Sequence, residues 1–261
     1  MDYLAPLRSE LKQKIILSLL GGDKKLSELK SEVEYRETTI LHVLKEFENL
    51  SLTAKSGGTY SLTSLGIIVA QICKDFNAAS VVLEKFKDFW LPHDIKPIPP
   101  QLMTKIGALQ DSTLIRTDRT ELGKVYESFL QILMTSTKVT GVSPIFHPDY
   151  VPVIEHLLSQ GNMVELILTN AVLKKTMSSA HPDQVMSSLK NGNLKIYLNE
   201  DLKVALTVTD KNFSLGLFLE GGGYDDKMDL ISLSPQAIQW GEELFAHMLK
   251  TSRRIEPESL V

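Results

Sequence analysis

The sequence predicts a two-domain protein of mixed α+β or α/β class, and three observations lead to that prediction. The chain has 261 residues, a length at which one hydrophobic core usually gives way to two. Residues 26–63 follow the order helix, turn, helix, hairpin. Beyond residue 101, strand patterns alternate with helix patterns, as in a mixed sheet covered by helices.

The first two helices are predicted from apolar residues that recur every three to four positions. Between Leu7 and Leu19 this spacing indicates an amphipathic helix, and Gly21-Gly22 ends it. A second, shorter helix with the same spacing runs from Leu26 to Val33. A turn at residues 34–36 then leads into a third helix that is predicted to end near Leu50.

The third helix carries two contrasting faces. Its apolar residues, from Ile40 to Leu50, gather on one side, which is expected to pack on the first two helices. Its other side presents hydrogen-bonding groups and one cation, the kinds of group that reach base edges and phosphates. Any amphipathic surface helix turns polar residues outward, so the position of this helix before a hairpin decides in favour of nucleic-acid binding.

The hairpin consists of two β-like runs, Leu52 to Lys55 and Thr59 to Thr63, around Ser56-Gly57-Gly58. Glycine supplies the positive φ that a tight hairpin loop requires. Residues 26–63 together are typical of a winged helix-turn-helix, which places its second helix in the major groove of double-stranded DNA. The candidate DNA-binding residues are Arg36, Thr38, Thr39, His42, Lys45, Asn49, Lys55 and Thr59.

The charge distribution gives this prediction little support. The chain has a formal net charge of −4, and residues 1–65 contain nine basic and nine acidic side chains. The N-terminal domain is therefore neutral, without the basic stripe that is common in DNA-binding proteins. A dimer would offset the weak charge, because two heads double the number of phosphate contacts.

Residues 64–91 predict a long helix with a heptad pattern sustained over more than three heptads. The seam of this helix consists of Leu65, Val69, Ile72, Phe76, Ala79, Leu83, Phe86 and Trp90. One interpretation is a helix that packs along its own C-terminal domain. The alternative, which we favour, is a homodimer through the helix at residues 65–90, since two-fold proteins match the palindromic half-sites that helix-turn-helix regulators read.

A Pro-dense connector at residues 91–100 leads into the C-terminal domain. That domain is predicted to begin with a helix over residues 122–133, and to contain a sheet that is parallel in its first half and antiparallel in its second. Strands are expected at 138–142, 164–168, 194–198, 204–209, 213–219 and 228–233. Helices are expected at 147–158, at 171–190 and at 235–253. The predicted domains are therefore 1–63, a connecting segment 64–100, and 101–261.

We predict no enzymatic activity, metal or cofactor. The six histidines form no metal-ligand spacing with cysteine or carboxylate, and no GxSxG elbow is present. Gly221-Gly222-Gly223 is not followed by the Lys-Ser/Thr and helix of a phosphate-binding loop. Asp225, Asp226 and Asp229 could bind a cation, although a solvated acidic loop explains them equally well.

A second hypothesis for the C-terminal domain is that it contains a ligand-sensing site. Ligands of open α/β sheets settle at the carboxyl ends of the strands. That rule nominates residues after the first two predicted strands, where ordinary loop and helix-cap roles are equally good explanations. The candidates are Ser143, His147, Asp149, Tyr150, Thr169 and Asn170.

Location is predicted from two simple features. No run approaches the roughly 20 apolar residues that cross a bilayer, and the N-terminus has no signal-peptide core. A single cysteine, Cys73, excludes an intramolecular disulfide and suits a reducing compartment. We therefore expect a cytoplasmic protein without membrane contact.

The N-terminal motif, the heptad helix and the segment Val139-Thr-Gly-Val-Ser-Pro-Ile-Phe-His-Pro-Asp-Tyr150 resemble archaeal winged-helix transcriptional regulators of methanogens, of the methanogenesis-regulatory type. The resemblance implies a dimeric, cytoplasmic transcription factor whose C-terminal domain senses or transmits a signal. The C-terminal domain is also similar to phospholipase-D-like sensor domains of other archaeal regulators. An HxKxxxxD motif is absent, so the resemblance does not extend to catalysis.

Three hypotheses of function follow. The first is a sequence-specific transcriptional regulator with a possible small-molecule effector. The second is a protein-interaction module, which the neutral charge and the acidic Glu37 and Glu46 of the third helix would suit. The third, an enzyme fused to a helix-turn-helix, lacks a catalytic constellation. The first hypothesis accounts for most of the pattern.

Overall fold

The computed structural model describes residues 3–116, 130, 133–134 and 136–260. The chain divides into two compact units, Met1–Val81 and Val82–Val261. The helix that the sequence predicts over residues 122–133 lies almost entirely outside the described residues.

The N-terminal unit contains three short helices and a small antiparallel sheet. A 3₁₀ turn at Ala5–Arg8 precedes the elements, which are α1 (Glu10–Leu20), β1 (Lys24–Lys25), α2 (Leu26–Val33), α3 (Glu37–Asn49), β2 (Thr53–Ser56) and β3 (Thr59–Leu62). Strand β3 pairs with β2 in a hairpin and with β1 on its other edge. The order of these elements confirms the predicted winged helix-turn-helix.

Three backbone turns shape the unit. Glu34 ends α2 in the left-handed region, with φ 57° and ψ 37°, and its N–H donates to the carbonyl of Lys30. Ser51, with φ 56°, reverses the chain between α3 and β2. Gly57 and Gly58 form the hairpin tip with φ of 57° and 84°, as the sequence predicts.

The core of the N-terminal unit consists of the apolar faces of α1, α2 and α3, closed by the hairpin. Ile15, Leu29, Ile40 and Phe47 have no exposed surface, and Tyr60 of β3 is buried beside them. Burying each such side chain contributes roughly 1.5–3 kcal/mol. Because α3 buries its apolar side here, its polar side is held outward.

Helix α4 (Ser64–Lys85) begins in the N-terminal unit and ends in the C-terminal unit. Val69, Ala70 and Cys73 belong to the N-terminal core. The helix stops at Lys85, because Phe86 leaves the helical region with φ −115° and ψ 25°, and a separate single turn, α5 (Lys87–Trp90), follows. The continuous helix predicted over 64–91 is therefore wrong at its C-terminal end.

The predicted heptad seam divides into two kinds of position. Ile72, Phe76 and Leu83 are exposed, whereas Phe86 is buried in the C-terminal unit. The buried Phe86 cannot serve as a dimer contact, so the seam is shorter than the predicted 65–90.

Within the part of the chain that the structure describes, α4 is the one helix whose length and apolar composition would suffice to cross a membrane. The core helices of soluble proteins share this property, and Gln71, Lys74, Asp75 and Asn77 interrupt the apolar sequence of α4.

The C-terminal unit is built on an eight-stranded mixed sheet. Its strands are β4 (Thr113–Arg116), β5 (Lys138–Ser143), β6 (Met163–Leu168), β7 (Leu194–Leu198), β8 (Val204–Thr209), β9 (Phe213–Leu217), β10 (Met228–Ser232) and β11 (Arg253–Arg254), in the spatial order β11-β7-β6-β5-β8-β9-β10-β4. Strands β5, β6 and β7 are parallel, and β8, β9, β10 and β4 are antiparallel. This pattern confirms the predicted change from a parallel to an antiparallel half.

Helices cover both faces of this sheet. The helices are α6 (Pro100–Met103), α7 (Tyr150–Ser159), α8 (Asn170–Ser179), α9 (Pro182–Asn191) and α10 (Pro235–Leu249). Helices α7, α8 and α9 share a core with one face of β5, β6 and β7, whereas α10 packs against β8, β5 and β9. Gly241 of α10 lies so close to Val208 and Phe213 that a Cβ would collide with both, which shows that α10 covers the other face.

Candidate functional site

The predicted recognition helix α3 presents its polar face to solvent. Thr38, His42, Lys45 and Asn49 are all exposed and follow one stripe of the helix, and Thr39 is exposed at its edge. Arg36, immediately before the helix, is exposed as well. The structure therefore leaves all of these predicted contact residues accessible on one element.

The cations of the N-terminal unit fall into two groups. Four lysines pair with carboxylates of the same unit: Lys12 with Glu46, Lys14 with Glu10, Lys24 with Glu32, and Lys30 with Glu37. In contrast, Arg36, Lys45 and Lys55 form no ion pair with any described residue. The unit is neutral as a whole. Lys25 of β1 and Lys74 of α4 also form no ion pair with a described residue, but Arg36, Lys45 and Lys55 are the ones that lie at α3 and on the wing.

On the wing, the side chain of Lys55 contacts an aromatic ring. The ammonium of Lys55 lies over the ring of Tyr60, at 4.9 Å from its centroid. A hydrogen bond from Lys55 to Tyr60 raises the pKa of this exposed amine, which stays cationic at neutral pH. Thr59, the other predicted wing residue, is half-buried beside the glycine tip.

The C-terminal unit contains a cavity of about 390 Å³ between the sheet and the helices α7 and α8. Much of its wall is apolar, with Ile154, Leu158, Val172 and Met177 on the helical side. This volume lies within the range of small-molecule sites in proteins.

The sheet side of the cavity is formed by small residues on adjacent strands. Ala205 of β8 is opposite Gly216 of β9, and Thr207 is opposite both Ser214 of β9 and Gly141 of β5. Alternate residues of a strand share a face, so these positions form one floor, and their small size leaves the space above it empty. The cavity exists because this floor lacks large side chains.

One buried carboxyl group lies at the polar end of the cavity. Asp229 of β10 lines the cavity and is only 4% exposed. Ser214 Oγ donates a hydrogen bond to Asp229 Oδ2 at 2.6 Å, and Oδ1 has no hydrogen bond of acceptable geometry with any described residue. Burial raises the pKa of Asp229 to about 7, although the bond from Ser214 opposes that shift.

Two tyrosines surround this carboxyl group. Tyr150 begins α7, and Tyr224 lies in the loop between β9 and β10, with its hydroxyl directly above Gly216. Burial raises the pKa of both phenols, and the charge of Asp229 raises it further. Both tyrosines are therefore neutral at physiological pH and keep their protons for hydrogen bonding.

The structure brings together three of the six predicted ligand residues. Ser143, His147 and Tyr150 line the cavity, at the carboxyl end of β5. Asp149 does not line it, and Thr169 and Asn170 have local roles instead. Thr169 Oγ1 caps α8 by accepting from the N–H of Val172, and Asn170 donates to Glu200. These two residues are held by helix capping and a loop contact.

The acidic loop was misjudged by the sequence analysis. A solvated loop is wrong for Asp225 and Asp229, since both are buried. Asp225 Oδ2 lies 3.3 Å from Nε2 of the buried His93, whose Nδ1 bonds to the carbonyl of Phe89. No group of three or more potential metal ligands occurs among the described residues.

The same loop is hydrogen-bonded to the segment that follows α5. The N–H of Asp94 donates to the carbonyl of Phe218 at 2.8 Å, and the N–H of Glu220 donates to the carbonyl of Pro92 at 3.0 Å. The Phe218 ring packs edge-on against Tyr224, 5.5 Å between centroids. One wall of the cavity is thus tied to the segment that α4 and α5 lead into.

Comparison with solved structures gives weak similarities. TrmBL2, described as an archaeal chromatin protein with a novel mode of DNA binding, aligns over 93% of this chain and 92% of its own, with a TM-score of 0.45 and 12% identity. Nuc from Salmonella typhimurium, a phospholipase D family member, aligns over 56% of this chain and 97% of its own, with a TM-score of 0.41 and 8% identity. We draw no functional argument from similarities of this size.

Sequence comparison gives a closer relationship. Two domain families described for methanogenesis regulatory protein FilR1 match this chain, the N-terminal domain over residues 5–79 and the middle domain over residues 122–251. FilR1 of Methanothrix harundinacea (strain 6Ac) is 30% identical over 257 residues, which cover 97% of this chain. The chain spans 57% of the length of that relative. The chain therefore belongs to the FilR1 family of archaeal transcriptional regulators, with that family's N-terminal and middle domains in sequence.

Proposed function

We propose that this regulator acts in the cytoplasm as a homodimer that binds double-stranded DNA through α3 and the wing. We further propose that a small molecule in the cavity of the C-terminal unit modulates that binding. No enzymatic step forms part of this function. The family membership supports transcription regulation, and the finer statements rest on the geometry.

The observation that carries the DNA-binding proposal is the distribution of charge and exposure on α3. The apolar face of α3 is buried, and its polar face exposes Thr38, His42, Lys45 and Asn49. The cations next to this face have no ion-pair partner among the described residues, so they are available to phosphates. Two acidic side chains of α3, Glu37 and Glu46, are paired with lysines of other elements, which leaves Arg36, Lys45 and Lys55 for the nucleic acid.

The dimer proposal is supported by an apolar stripe on α4. Ile68, Ile72 and Phe76 are spaced four residues apart and are 58%, 43% and 48% exposed. Three large apolar side chains on one face of a surface helix are costly in water, and a second copy of the helix would cover them. Leu83 extends the stripe along the same helix.

The proposal that a ligand modulates DNA binding is supported by the loop between β9 and β10. The loop between β9 and β10 contributes Tyr224 to the cavity and is hydrogen-bonded to residues 92–94. A ligand that repositions Tyr224 would therefore act on the segment that follows α4 and α5. Coupling of this kind is measured as the factor by which the ligand changes DNA affinity.

The DNA-binding surface is tested with Lys45→Ala and Lys55→Ala. We expect each substitution to weaken binding about equally on all sequences and to lower the salt slope by about 1, because each removes one phosphate contact. Anisotropy titrations at several salt concentrations, on native promoter fragments and on a scrambled duplex of equal length, measure both quantities.

The matched control is Lys190→Ala, which removes one exposed lysine from the C-terminal unit. This variant should bind DNA as the unaltered chain does. If Lys45→Ala and Lys55→Ala also bind as the unaltered chain does, the winged helix is a protein-interaction module instead.

A further inference from the structure

The cavity of the C-terminal unit is lined by a buried carboxyl group, that of Asp229, which has no basic partner among the described residues. Asp229 takes part in no ion pair with a described lysine, arginine or histidine, and its Oδ1 lacks a hydrogen bond. Buried carboxyl groups are normally paired or fully hydrogen-bonded, since an isolated one is costly. An unpaired carboxyl group that lines a 390 Å³ cavity therefore indicates what the cavity is built to receive.

We propose that the cavity binds a small organic amine, whose ammonium group pairs with Asp229 and whose apolar body lies between α7, α8 and the sheet. This inference rests on the proposed function, and it names the chemical class of the effector. The ammonium group would donate the hydrogen bond that Asp229 Oδ1 lacks. It would also place a positive charge next to a carboxyl group that is buried away from water.

The aromatic lining favours a cation over other ligand classes. Tyr150, Tyr224 and Phe146 line the cavity, and the face of an aromatic ring attracts an ammonium group. A carboxylic acid would place a second acidic group beside Asp229, and one of the two would have to be protonated. A neutral alcohol would donate one hydrogen bond and leave the buried charge uncompensated.

The charged groups that face Asp229 do not already perform this role. From the loop before β10, Asp225 and Asp226 are acidic, and the exposed Lys227 forms no ion pair with Asp229. From α7, Glu155 accepts hydrogen bonds from the backbone N–H and the ring of His181. His147, before α7, is 3.9 Å from the Asp149 carboxylate and 42% exposed. Tyr150 and Tyr224 are neutral phenols, so the described residues around Asp229 make this end of the cavity acidic.

Binding of an amine should depend on pH in a defined direction. The cation pairs with the ionised form of Asp229, whose pKa is about 7 in the empty cavity. Raising the pH from about 6 to about 8 ionises this carboxyl group while an alkylamine stays protonated, so the affinity should rise about tenfold. A carboxylic acid ligand would show the opposite trend.

The test uses three probes that share one apolar skeleton: 2-phenylethylamine, 2-phenylethanol and phenylacetic acid. Isothermal titration calorimetry on the full chain at about pH 6 and about pH 8, with probes up to about 10 mM, covers the range of fragment affinities. We expect 2-phenylethylamine to bind most tightly, with the rise in affinity described above. Absence of saturable amine binding, or tighter binding of the acid or the alcohol, would overturn the proposal.

Two variants assign the effect to Asp229. Asp229→Asn keeps the shape of the side chain and should lose both the preference for the amine and its pH dependence. Glu220→Gln removes an exposed charge of the same loop that does not line the cavity, and it should leave the preference for the amine intact. An amine preference that survives in Asp229→Asn contradicts the assignment.

The same protein samples are titrated with DNA, which separates this inference from the proposed function. DNA binding without amine binding rejects the ligand class and leaves the DNA-binding proposal standing. Amine binding without DNA binding does the reverse, and the cavity then belongs to a protein that regulates by another contact.

Discussion

At the scale of single residues, Asp229 is held in surroundings that favour its protonated form. Its neighbours along the strand are apolar. Among the described residues, Ser214 is the one side chain that donates a hydrogen bond to it, and the backbone N–H groups of Leu230 and Leu215 add smaller contributions. Local arrangements that cost stability concentrate at binding sites, where the ligand removes the cost. Under the proposed function, the chain gives up stability at this position and gains a charge that can pair with the ligand.

Asp229→Asn is predicted to raise the stability of the C-terminal unit, and to raise it more at high pH. The pKa of Asp229 is about 7 when folded and 3.8 ordinarily, so the folded state binds the proton more tightly than the unfolded state. Stability of the unaltered chain therefore falls as the pH rises from about 4 to about 7, by on the order of 4 kcal/mol. Asparagine does not titrate, so the free energy of unfolding of the Asp229→Asn variant should not fall over this pH range.

Urea unfolding of both proteins across the range from about pH 5 to about pH 8 measures the difference. The gain in stability of the variant should increase up to about pH 7 and then level off. A gain that is the same at every pH would place the pKa of Asp229 at its ordinary value, and would remove the electrostatic explanation.

The sequence left Asp229 open between a cation-binding residue and part of a solvated loop, because its acidic neighbours suit both interpretations. The strand Met228–Ser232 nevertheless carried a usable signal, since Asp229 is the one charged residue in the run MDLIS. A charge inside a strand pattern indicates either an edge or a site. Ser143, His147 and Tyr150 line the cavity, as the convergence of parallel strands at their carboxyl ends predicts, and their role in ligand binding stays a prediction.

At the scale of elements, the junction between the wing and α4 is the tightest contact of the N-terminal unit described above. Thr63 Oγ1 donates to the carbonyls of Ser51 and Leu52, and it accepts from the N–H of Gly66. Gly66 then packs so closely on the carbonyl of Leu52 that any Cβ would overlap it. The start of α4 is therefore locked to the end of α3 and the start of β2.

Gly66→Ala is predicted to destabilise the N-terminal unit by about 2–3 kcal/mol, because the added Cβ meets a backbone atom that cannot move alone. Thermal unfolding monitored by circular dichroism measures the loss. Gly21→Ala is the control, because a Cβ there makes only ordinary contact with the carbonyl of Ser18. Equal melting temperatures for the two variants would show that the junction relaxes.

The elements that the sequence predicted well are those whose pattern is local. Helices α1, α2 and α3 and the hairpin followed from apolar spacing and glycine. Strands β1, β4 and β11 were not predicted, since the first and last have two residues each and all three are defined by pairing with distant partners. The end of α4 was also missed, because the apolar spacing continues through Phe86 into α5, while burial in the C-terminal unit decides where the helix stops.

At the scale of the whole molecule, the exposed stripe of α4 decides whether the regulator presents one DNA-binding head or two. The described residues of the chain leave Ile68, Ile72 and Phe76 uncovered. Helix-turn-helix dimers contact two half-sites spaced by one helical turn of DNA, or a multiple of it. A dimer through α4 would therefore determine the spacing of the operator.

Ile72→Glu combined with Phe76→Glu is predicted to convert the proposed dimer into a monomer, because four buried charges at a two-fold interface would lack partners. Light scattering coupled to size-exclusion chromatography measures the mass. The matched control is Ile67→Glu combined with Val81→Glu. These two residues lie on the other side of α4, where the side chain of Ile67 is 50% exposed and that of Val81 is 45% exposed. A dimer that survives the first pair, or dissociates with the second, places the interface elsewhere.

The floor of the cavity has a consequence for how such regulators can change their effector. Gly141, Ala205 and Gly216 make room by lacking side chains, and they lie on three adjacent strands whose opposite face packs on α10. A larger side chain at Ala205 would narrow the cavity from the face opposite α10, whereas a Cβ at Gly216 would collide with the hydroxyl of Tyr224. The shape of the cavity and the packing of α10 thus depend on different faces of the same strands, so a substitution at Ala205 is expected to alter the selectivity of the proposed ligand site while the α10 side of the sheet stays in place.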